Sequence, residues 1–495
     1  MKSIDARVAL GLFIAALALR IGTLIVVPFD GLYGQDAFAY FGYMRDLRSA
    51  LANLQPPPPF FWPLGYPLWT VLASLFVGPG AFAGQLVSML SGALVPVFVY
   101  LICRDLGVVR PAALVAALLT ATAAQLLISS LSFMSDAAGL AWVTASAWAL
   151  LRYAHARRER WLVAASSALA MAVLTRWILA LVAAPWSAAG WLAWRGRPFA
   201  WRRRLQHGGA ALAVGVLIVG GQLAPDLVQG SLSHVGDLQV VGWNPTHALR
   251  RTIENSDGIF HYERPIGLYY ALPLAHPAFV FPLLSPFLVI GLWALRRRAA
   301  PVRVLLIGWP LVVYVFLAGI AWENPRFALP LLPPLAVLGG LGVDSLWNAH
   351  PRWRALLIGW CALALLGSMA WAARDLTRFV AAKDSAVAAV RWAEAQVAPD
   401  AVVITFGLTG AFGHYTNLQV VELYNETPAT LRAVTCDSAP AYLLLDPSVV
   451  ETQWIGRAPQ VNYQWLDRNA GLEPVGAFGG YSLFEIGRPA ACELG

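Results

Sequence analysis

Two aspartates in an otherwise apolar sequence are the residues best suited to acid–base chemistry. Asp36 lies in the segment GQDAFAY (34–40), and Asp136 lies in LSFMSDAAGL (131–140). A carboxylate can take a proton from an attacking hydroxyl as a general base, and two carboxylates at one site can also hold a divalent ion such as Mg²⁺ or Mn²⁺. Each aspartate also has a simpler interpretation as the cap of the helix that follows it.

Three arginines next to apolar stretches form a second set of candidates. Arg176 lies in AVLTRWILAL, Arg264 lies directly before PIGLYY, and Arg326 lies in ENPRFALPL. A guanidinium group binds phosphate oxygens in a forked geometry, so several arginines on one side of a membrane favour a lipid phosphate or pyrophosphate as ligand. For any one arginine alone, the simpler alternative is a long side chain that reaches the lipid headgroups.

The composition indicates what kind of scaffold must hold these residues. The chain has 495 residues, of which 58% are hydrophobic and 13% are charged. Soluble proteins usually carry about 25% charged residues, so a disordered chain, a fibrous repeat and an ordinary cytosolic enzyme are excluded. The apolar residues fall in blocks of roughly 20, the length that crosses the hydrocarbon of a bilayer as a helix. The sequence therefore predicts an α-helical polytopic membrane protein.

These apolar blocks predict about eleven transmembrane helices. They are 8–28, 84–103, 111–131, 137–151, 161–175, 177–194, 208–228, 277–295, 302–321, 327–346 and 355–372. The first is expected to remain as a span, because its apolar run is longer than a signal-peptide core and no small-residue cleavage site follows it. The two segments on either side of Arg176 could also form one long helix that breaks at that residue.

The formal charge of +8 distinguishes the two sides of this predicted membrane protein. With the N-terminus in the cytoplasm, 19 Lys and Arg residues fall in cytoplasmic segments and seven in outer segments. Cytoplasmic loops carry such an excess, so the charge indicates topology rather than nucleic-acid binding. We expect a multi-pass protein of the cell membrane whose C-terminal region is extracytoplasmic.

Residues 373–495 differ from the rest of the chain in their pattern. Their β-rich runs are 401–406, 418–424 and 441–446. A segment of helical spacing, 384–397, precedes the first run, and this alternation is typical of a small α/β domain. Two domains are therefore predicted, 1–372 in the membrane and 373–495 outside. Cys436 and Cys492 lie in the outer domain, where a disulfide could form and persist, although the sequence does not tell how far apart they are.

The first outer loop is predicted to place Asp36 at the start of a helix. Residues 37–51 have the spacing of an amphipathic helix at the membrane interface, and aromatic residues, including Tyr40, follow Asp36. The positive end of the helix dipole would stabilise a carboxylate at that position. Asp136 falls on the same side of the membrane by the predicted topology, so the polar residues gather at the outer ends of the helices.

The order of five segments resembles the GT-C glycosyltransferases, membrane enzymes that take sugar from polyprenyl-phosphate carriers. The resemblance is closest to the branch that contains the protein O-mannosyltransferases and the lipid A aminoarabinose transferase. The five segments are GQDAFAY (34–40), PLGYPLW (63–69), LTRW (174–177), RPIGLYY (264–270) and ENPRFALPLLPPLAVLGGLG (323–342). Together with the hydropathy and the outer α/β domain, the resemblance covers nearly the whole chain.

The resemblance implies a role for each candidate residue. The family's catalytic base is an acidic residue of the first outer loop, which is Asp36 here, although Gln35 stands where the protein mannosyltransferases have the other member of an acidic pair. The second outer carboxylate of the family corresponds to Asp136, and the two aspartates are the predicted ligands of a divalent metal. The residues predicted to bind substrate are Tyr40, Arg176, Arg264, Tyr269, Tyr270 and Arg326.

The predicted function is transfer of a sugar from a polyprenyl-phosphate donor to an acceptor hydroxyl on the outer side of the membrane. The acceptor could be a glycan, a lipid or a protein. Two alternatives come from other functional classes: a secondary transporter, which would place ionisable residues at mid-bilayer and show repeats between its halves, and a non-catalytic membrane scaffold that presents the outer domain. The clustering of polar residues at the helix ends favours the enzyme.

Overall fold

The computed structural model describes residues 3–195, 201–228, 242–436, 439–488 and 492. Its contacts separate the chain into two compact units. The helical unit contains 1–31, 40–249 and 264–377, and the sheet unit contains 32–39, 250–263 and 378–495.

Fifteen helices of the described residues precede the large sheet. They are α1 (Ser3–Val26), α2 (Gln35–Ala52), α3 (Gly65–Val77), α4 (Phe82–Asp105), α5 (Arg110–Thr122), α6 (Ala124–Leu131), α7 (Asp136–Ala156), α8 (Glu159–Thr175), α9 (Ala183–Arg195), α10 (Trp201–Val228), α11 (Ile266–Ala271), α12 (Ser285–Leu295), α13 (Ala300–Gly319), α14 (Leu332–Ala349) and α15 (Arg354–Gln396). Two 3₁₀ turns, Trp177–Val182 and Pro325–Leu331, come directly before α9 and α14.

The helical unit has the length and apolarity of a polytopic membrane protein, as predicted. Seven of the described helical segments are long and apolar enough to cross a membrane, and the α5–α6 pair, bent by 54°, makes up to eight. Two shorter apolar helices are Gly65–Val77 and Pro282–Leu295. The count of eleven spans therefore stays a prediction. The chain does break at Arg176, whose backbone is extended between α8 and the following turn.

Glycines let the helices of this unit pack backbone against backbone. A Cβ at Gly291 of α12 would lie 1.8 Å from the carbonyl oxygen of Leu338, and one at Gly342 of α14 would lie 2.0 Å from that of Phe287. Small residues are what bring transmembrane helices this close, because lipid is as apolar as a leucine side chain and supplies no hydrophobic drive for association.

A group of ionic side chains joins α1, α4 and α5 where α1 begins, and we name it the Asp5 cluster: Asp5, Tyr100, Arg104 and Arg110. One carboxylate oxygen of Asp5 accepts hydrogen bonds from the Nε atoms of Arg104 and Arg110 and from the hydroxyl of Tyr100, each at 3.1 Å. The aspartate is buried, with a side chain 9% exposed. The carboxylate thus accepts three charge-assisted hydrogen bonds, which join the start of α1 to α4 and α5.

The sheet unit is an α/β domain, as the alternating pattern of the C-terminal region predicted. Its strands are β1 (Thr252–Asn255), β2 (Gly258–His261), β3 (Val402–Thr405), β4 (Gln419–Glu422), β5 (Ala441–Leu445), β6 (Leu472–Phe478) and β7 (Tyr481–Ile486). The five-stranded sheet has the order β4-β3-β5-β7-β6, in which β3 is parallel to β4 and β5 while β7 is antiparallel to β5 and β6. Its remaining helices are α16 (Thr409–Tyr415), α17 (Pro428–Cys436), α18 (Pro447–Thr452) and α19 (Ala458–Asn469).

Alternating side chains of β3 build two cores, one on each face of this sheet. Val403 packs with Val390 of α15, whereas its neighbour Ile404 packs with Leu466 of α19. This alternation follows from the period of two along a strand. A disulfide joins Cys436 and Cys492, whose Cα atoms lie 5.5 Å apart, so the bond that the sequence left open is present.

Two features of this unit were not expected. The predicted helix 384–397 is the end of the 43-residue helix α15, which begins before the predicted domain boundary and runs through it. The hairpin of β1 and β2 arises within the long loop 229–276, whose residues 229–241 lie outside the described ones. The hairpin packs on the sheet unit through the amide of Ile259, which donates to the carbonyl oxygen of Gln453 at 2.7 Å.

Candidate active site

The first part of the site is an ion pair between α7 and the end of α8. Asp136 is the first residue of α7, and the carboxylate of Asp136 pairs with the guanidinium of Arg176. The aspartate side chain is 1% exposed and that of the arginine 17%. Ser135 is the N-cap and makes no side-chain capping bond, so the interpretation of Asp136 as a helix cap is wrong.

Gly139 creates the space in which this ion pair forms. It lies three residues after Asp136, on the same face of α7. A Cβ at position 139 would lie 2.9 Å from Cδ1 of Leu179 and 3.4 Å from Cβ of Arg176. The helix can therefore approach the extended backbone at Arg176 because no side chain stands between them.

Arg326 brings a second guanidinium group to the same place. The side chain of Asn324 accepts a hydrogen bond from the amide of Arg326 at 3.1 Å and so caps the 3₁₀ turn that carries it. The guanidinium carbons of Arg176 and Arg326 lie 5.5 and 5.4 Å from the centroid of the Phe327 ring. We name Asp136, Arg176 and Arg326 the Asp136 cluster.

Met134 connects Arg326 to the start of α7. The Nη1 atom of Arg326 lies 3.7 Å from the sulfur of Met134, which precedes Asp136 by two residues. A thioether sulfur and an aromatic ring are weak partners for a cation. Both contacts help to hold the guanidinium in place.

Tyr270 holds the chain that leads into this arginine. Its hydroxyl donates to the carbonyl oxygen of Trp322 at 2.7 Å and accepts from the amide of Asn324 at 3.1 Å. The ring is 1% exposed, and the ring of Tyr269 packs edge-on to it at 5.1 Å. Since its hydroxyl is used by the backbone, Tyr270 is placed to position Arg326.

Tyr40 connects α2 to the residue before Asp136. Its hydroxyl donates to Oγ of Ser135 at 3.1 Å, and the side chain is buried. The ring stacks on Trp62 at 5.0 Å and meets Phe60 edge-on at 5.5 Å. The aromatic end of the proline-rich segment 55–63 therefore packs around this tyrosine.

Asp36 lies in the first turn of α2, as predicted, and is half-buried. The helix begins at Gln35 directly after Gly34, whose φ of 77° suits a glycine. Asp36 and Tyr40 are four residues apart and so lie on one face of α2. Asp36 groups with the sheet unit, whereas the Asp136 cluster belongs to the helical unit.

Arg264 is one predicted site residue for which no contact with the Asp136 cluster is found. It is exposed, and the contacts described for the Asp136 cluster do not include it. Its charge acts on His276 instead. Burial lowers the pKa of His276, and Arg264 adds to that lowering while Asp375 opposes it.

The carboxylates do not form a ready metal site. Among the described residues, no group of three or more His, Cys, Asp and Glu side chains lies close enough together to hold a metal ion. The carboxylate of Asp136 is already engaged by Arg176, whereas Mg²⁺ and Mn²⁺ need several free oxygen ligands. The described residues therefore do not fit the predicted divalent ion.

Two residues that position the cluster were missed by the sequence analysis. Phe327 lies next to Arg326 in the sequence, and an arginine beside an aromatic residue is a signal that could have been read. Gly139 lies one helical turn after Asp136, where a glycine inside an apolar helix indicates close approach.

Comparison with known proteins supports the fold. The family described as dolichyl-phosphate-mannose-protein mannosyltransferase matches residues 57–220. No curated protein is a significant sequence match to this chain.

Three solved structures resemble nearly the whole chain. ArnT from Cupriavidus metallidurans, bound to undecaprenyl phosphate, is 15% identical with a TM-score of 0.63 over 99% of this chain and 98% of its own. The Archaeoglobus fulgidus oligosaccharyltransferase in complex with Zn and sulfate is 14% identical, with a TM-score of 0.55 over 96% of this chain and 73% of its own.

The third is the arabinofuranosyltransferase AftD from Mycobacteria, which is 15% identical with a TM-score of 0.51 over 97% of this chain and 41% of its own. All three are GT-C glycosyltransferases. The chain therefore has the GT-C fold, and the resemblance found in its sequence is confirmed at that level.

Proposed function

From the GT-C fold, we propose that this chain is an integral membrane glycosyltransferase. It moves a sugar from a polyprenyl-phosphate donor to an acceptor hydroxyl on the outer side of the cell membrane. The observation that carries the proposal is the Asp136 cluster, in which Arg176 and Arg326 lie around one phenylalanine ring at the ends of apolar helices. The ArnT structure with bound undecaprenyl phosphate supports a lipid phosphate as the ligand of such a fold.

The charges of the cluster suit this ligand. Two guanidinium groups lie in the cluster, and such groups bind the negatively charged phosphate oxygens of a sugar phosphodiester in a forked geometry. When the bond from the anomeric carbon to the phosphate oxygen breaks, negative charge grows on the phosphate. Preorganised cations stabilise such developing charge most strongly in a buried site.

Each side chain then has a distinct role. Arg326 contacts the donor phosphate, and Arg176 does so while Asp136 fixes its orientation, which makes the aspartate a positioning residue. Tyr40 and Tyr270 hold α2 and the Arg326 turn through hydrogen bonds to Ser135 and to backbone groups. Two further donor contacts, Arg264 just before α11 and Tyr269 within it, are assigned from the family resemblance.

The transfer itself needs a base on the acceptor side, and we assign Asp36 to it. The acceptor oxygen attacks the anomeric carbon while its proton passes to the Asp36 carboxylate. The bond to the phosphate oxygen breaks at the same time, and polyprenyl phosphate leaves. Direct displacement of this kind inverts the anomeric centre. A site at the ends of the spans lets the polyprenyl tail stay in the bilayer throughout.

Replacement of Asp36 tests the proposal. The full-length protein in nanodiscs is given undecaprenyl-phosphate-linked sugars, and release of undecaprenyl phosphate is measured. We expect Asp36→Asn to lower turnover by roughly 10²- to 10⁴-fold, the usual contribution of a general base. Asp46→Asn is the matched control, since Asp46 is an exposed aspartate of the same helix. Equal turnover by Asp36→Asn and wild type would refute the base, and a wild type that releases no undecaprenyl phosphate would refute the function.

A further inference from the structure

The turn between α6 and α7, residues 132–135, leads directly into Asp136 and is not helical. Its four residues are buried, with exposures from 0% to 7%. Buried backbone groups outside a helix or a sheet need hydrogen-bond partners from other parts of the chain. The position of Asp136 therefore depends on what binds the backbone of this turn, which we name the 132–135 turn.

Gln85 of α4 binds the backbone where the 132–135 turn begins. Its side-chain nitrogen donates to the carbonyl oxygen of Leu131 at 2.9 Å and to that of Phe29 at 2.8 Å. Carbonyl oxygens can only accept, so the nitrogen end of the amide faces them and both of its N–H groups are used. Gln85 is 3% exposed, so water has little access to these bonds.

Segment 29–31, which follows α1, forms the other side of this contact. The carbonyl oxygen of Gly31 accepts a hydrogen bond from the amide of Phe133 at 2.8 Å. Gly31 has a φ of 89°, and a Cβ there would lie 2.5 Å from Cγ of Gln85. The segment can lie against Gln85 because residue 31 is a glycine. One amide thus joins α4, this segment and the start of the turn.

Ser88 binds the same turn near its other end. It lies one helical turn after Gln85 on the same face of α4, and its hydroxyl donates to the carbonyl oxygen of Met134 at 3.1 Å. The hydroxyl of Tyr66 lies 3.0 Å from Oγ of Ser88. This face of α4 therefore holds two backbone carbonyl oxygens, those of Leu131 and Met134.

The 132–135 turn connects this face of α4 to the charged groups of the site. Met134, whose carbonyl oxygen is held by Ser88, has its sulfur 3.7 Å from Nη1 of Arg326. Asp136, two residues later, pairs with Arg176. A shift of the turn along α4 would therefore move a contact of one guanidinium group and the carboxylate partner of the other at the same time.

A second buried amide makes the same kind of contact elsewhere in the chain. Asn462 of α19 is 1% exposed and donates to the carbonyl oxygens of Leu423 and Glu426 at 2.9 and 2.7 Å. These three residues belong to the sheet unit. Loss of either amide leaves two buried carbonyl oxygens without that donor, which costs stability. Gln85 differs from Asn462 because one of its partners leads into the turn that ends at Asp136.

We propose that Gln85 is a positioning residue of the Asp136 cluster: it holds the 132–135 turn so that Arg176 and Arg326 meet the donor phosphate together. Both of its N–H groups are used by the backbone, so it acts through the turn and not on the donor. This rests on the proposed glycosyl transfer, because the phosphate is the ligand assigned to the two guanidinium groups. Preference for a phosphate over a hydroxyl at the lipid head should then depend on Gln85.

The test measures binding of undecaprenyl phosphate and of undecaprenol, its neutral counterpart, to the full-length protein by native mass spectrometry, which counts folded molecules. Turnover of undecaprenyl-phosphate-linked sugars is measured on the same samples. Gln85→Met keeps the length of the side chain and removes the amide. It should lower the preference for the phosphate by about tenfold, the factor of one charged hydrogen bond. Turnover per folded molecule should fall by roughly 10- to 100-fold, since a misplacement of about 1 Å can cost about 10²-fold.

Asn462→Leu is the matched control, since it also removes one amide from two buried carbonyl oxygens. It should lower the Tm, as Gln85→Met does, but keep the wild-type phosphate preference and turnover per folded molecule. Ser88→Ala removes a single bond to the turn and should lower the preference by roughly two- to fivefold. This milder variant tests the inference even if Gln85→Met does not fold.

Two results would overturn the inference alone. One is a wild-type phosphate preference and turnover in both Gln85→Met and Ser88→Ala, and the other is an equal loss in Asn462→Leu. Failure of the proposed function would be seen in the wild type instead. A wild type that binds the two lipids equally and releases no undecaprenyl phosphate would refute the transferase, and the role of Gln85 with it.

Discussion

The helical unit contains two clusters that each include one aspartate and two arginines. The two clusters differ in how many partners the aspartate carboxylate has. The bent helix pair α5–α6 separates them in the sequence, since Arg110 begins α5 and Asp136 follows the end of α6 by five residues. In the Asp5 cluster, one carboxylate accepts three hydrogen bonds, two of them from arginines. In the Asp136 cluster, the carboxylate pairs with Arg176 alone among the described residues.

The second arginine of each cluster contacts different groups. Arg110 donates directly to Asp5, and Arg326 lies against a thioether sulfur and an aromatic ring. Furthermore, Oδ2 of Asp136 has no hydrogen-bond partner among the described residues. A cluster that only joins helices satisfies its polar groups, while one that binds a ligand keeps some of its capacity for the ligand.

The largest expected effect is on turnover. It should be seen when an arginine of the Asp136 cluster is replaced, but not when an arginine of the Asp5 cluster is replaced. We expect Arg326→Gln to lower the release of undecaprenyl phosphate by roughly 10²- to 10³-fold, the usual cost of removing one electrostatic contact to developing charge. Arg104→Gln in the Asp5 cluster should leave turnover per folded molecule near wild type. If both variants lose the same fraction of activity, the functional distinction between the clusters is wrong.

The next largest effect is on stability. We expect the free energy of unfolding to fall more when Asp136 is replaced than when Asp5 is replaced. Asp136→Asn leaves Arg176 buried without its partner, which should cost about 3 kcal/mol or more. Asp5→Asn should cost less, roughly 1–2 kcal/mol, because the side chains of Arg104 and Arg110 are 21% and 39% exposed. Denaturant or thermal unfolding of both variants in one detergent gives the comparison.

A double variant sharpens this prediction. Asp136→Asn combined with Arg176→Gln removes both charges, so it should be more stable than Asp136→Asn alone. Its turnover should remain as low as that of the single variant, since the phosphate has lost a cation. Recovery of turnover together with stability would show that the ion pair serves only the fold.

A smaller effect tests how the Asp136 cluster is held. Gly139→Val places atoms against Leu179 and Arg176, which should cost about 1–3 kcal/mol of stability and lower turnover by displacing the guanidinium. Gly11→Val in α1 is the control, because a Cβ there meets nothing within 4 Å. Unchanged turnover in Gly139→Val would mean that the close helix contact does not position Arg176.

The smallest effect on stability is expected for a third carboxylate, Glu422 of the sheet unit. The groups that lower its pKa are neutral hydrogen-bond donors rather than arginines. Burial raises its pKa, and the hydroxyl of Thr409 with the amides of Tyr424 and Gly407 lowers it in part. Because the folded pKa lies above the unfolded one, this group's contribution to stability is complete at low pH and is lost as the pH rises through the folded pKa.

Glu422→Gln should therefore gain stability relative to wild type as the pH rises from about 4 to 8. The measurement is the difference in Tm between the two proteins across that range. A difference that does not change with pH would show that burial does not perturb this carboxyl.

The sequence predicted local structure well where one pattern dominates. The runs 401–406, 418–424 and 441–446 became β3, β4 and β5, and the amphipathic pattern after Asp36 became α2. The apolar blocks became the long helices, since hydrophobic length and period are properties of a segment by itself.

The pattern says less about where one such segment ends and the next begins. Helix α15 continues from an apolar block into an amphipathic one without a break, so its 43 residues run through the predicted domain boundary at residue 373, and the division into two domains stays a prediction. The hairpin of β1 and β2 was also missed, because four-residue strands in a long polar loop have little period to detect.

The sequence by itself determined that the chain is a membrane protein and that Asp36, Asp136 and the arginines needed an explanation. Only the tertiary structure decided that Asp136 pairs with Arg176 and that Tyr270 holds the Arg326 turn. Hydropathy and period depend on neighbours along the chain, whereas these pairings depend on helix rotation and close approach at residues such as Gly139. The sequence therefore reveals that a charged residue in an apolar stretch is costly to bury. Which partner compensates that charge is determined by packing.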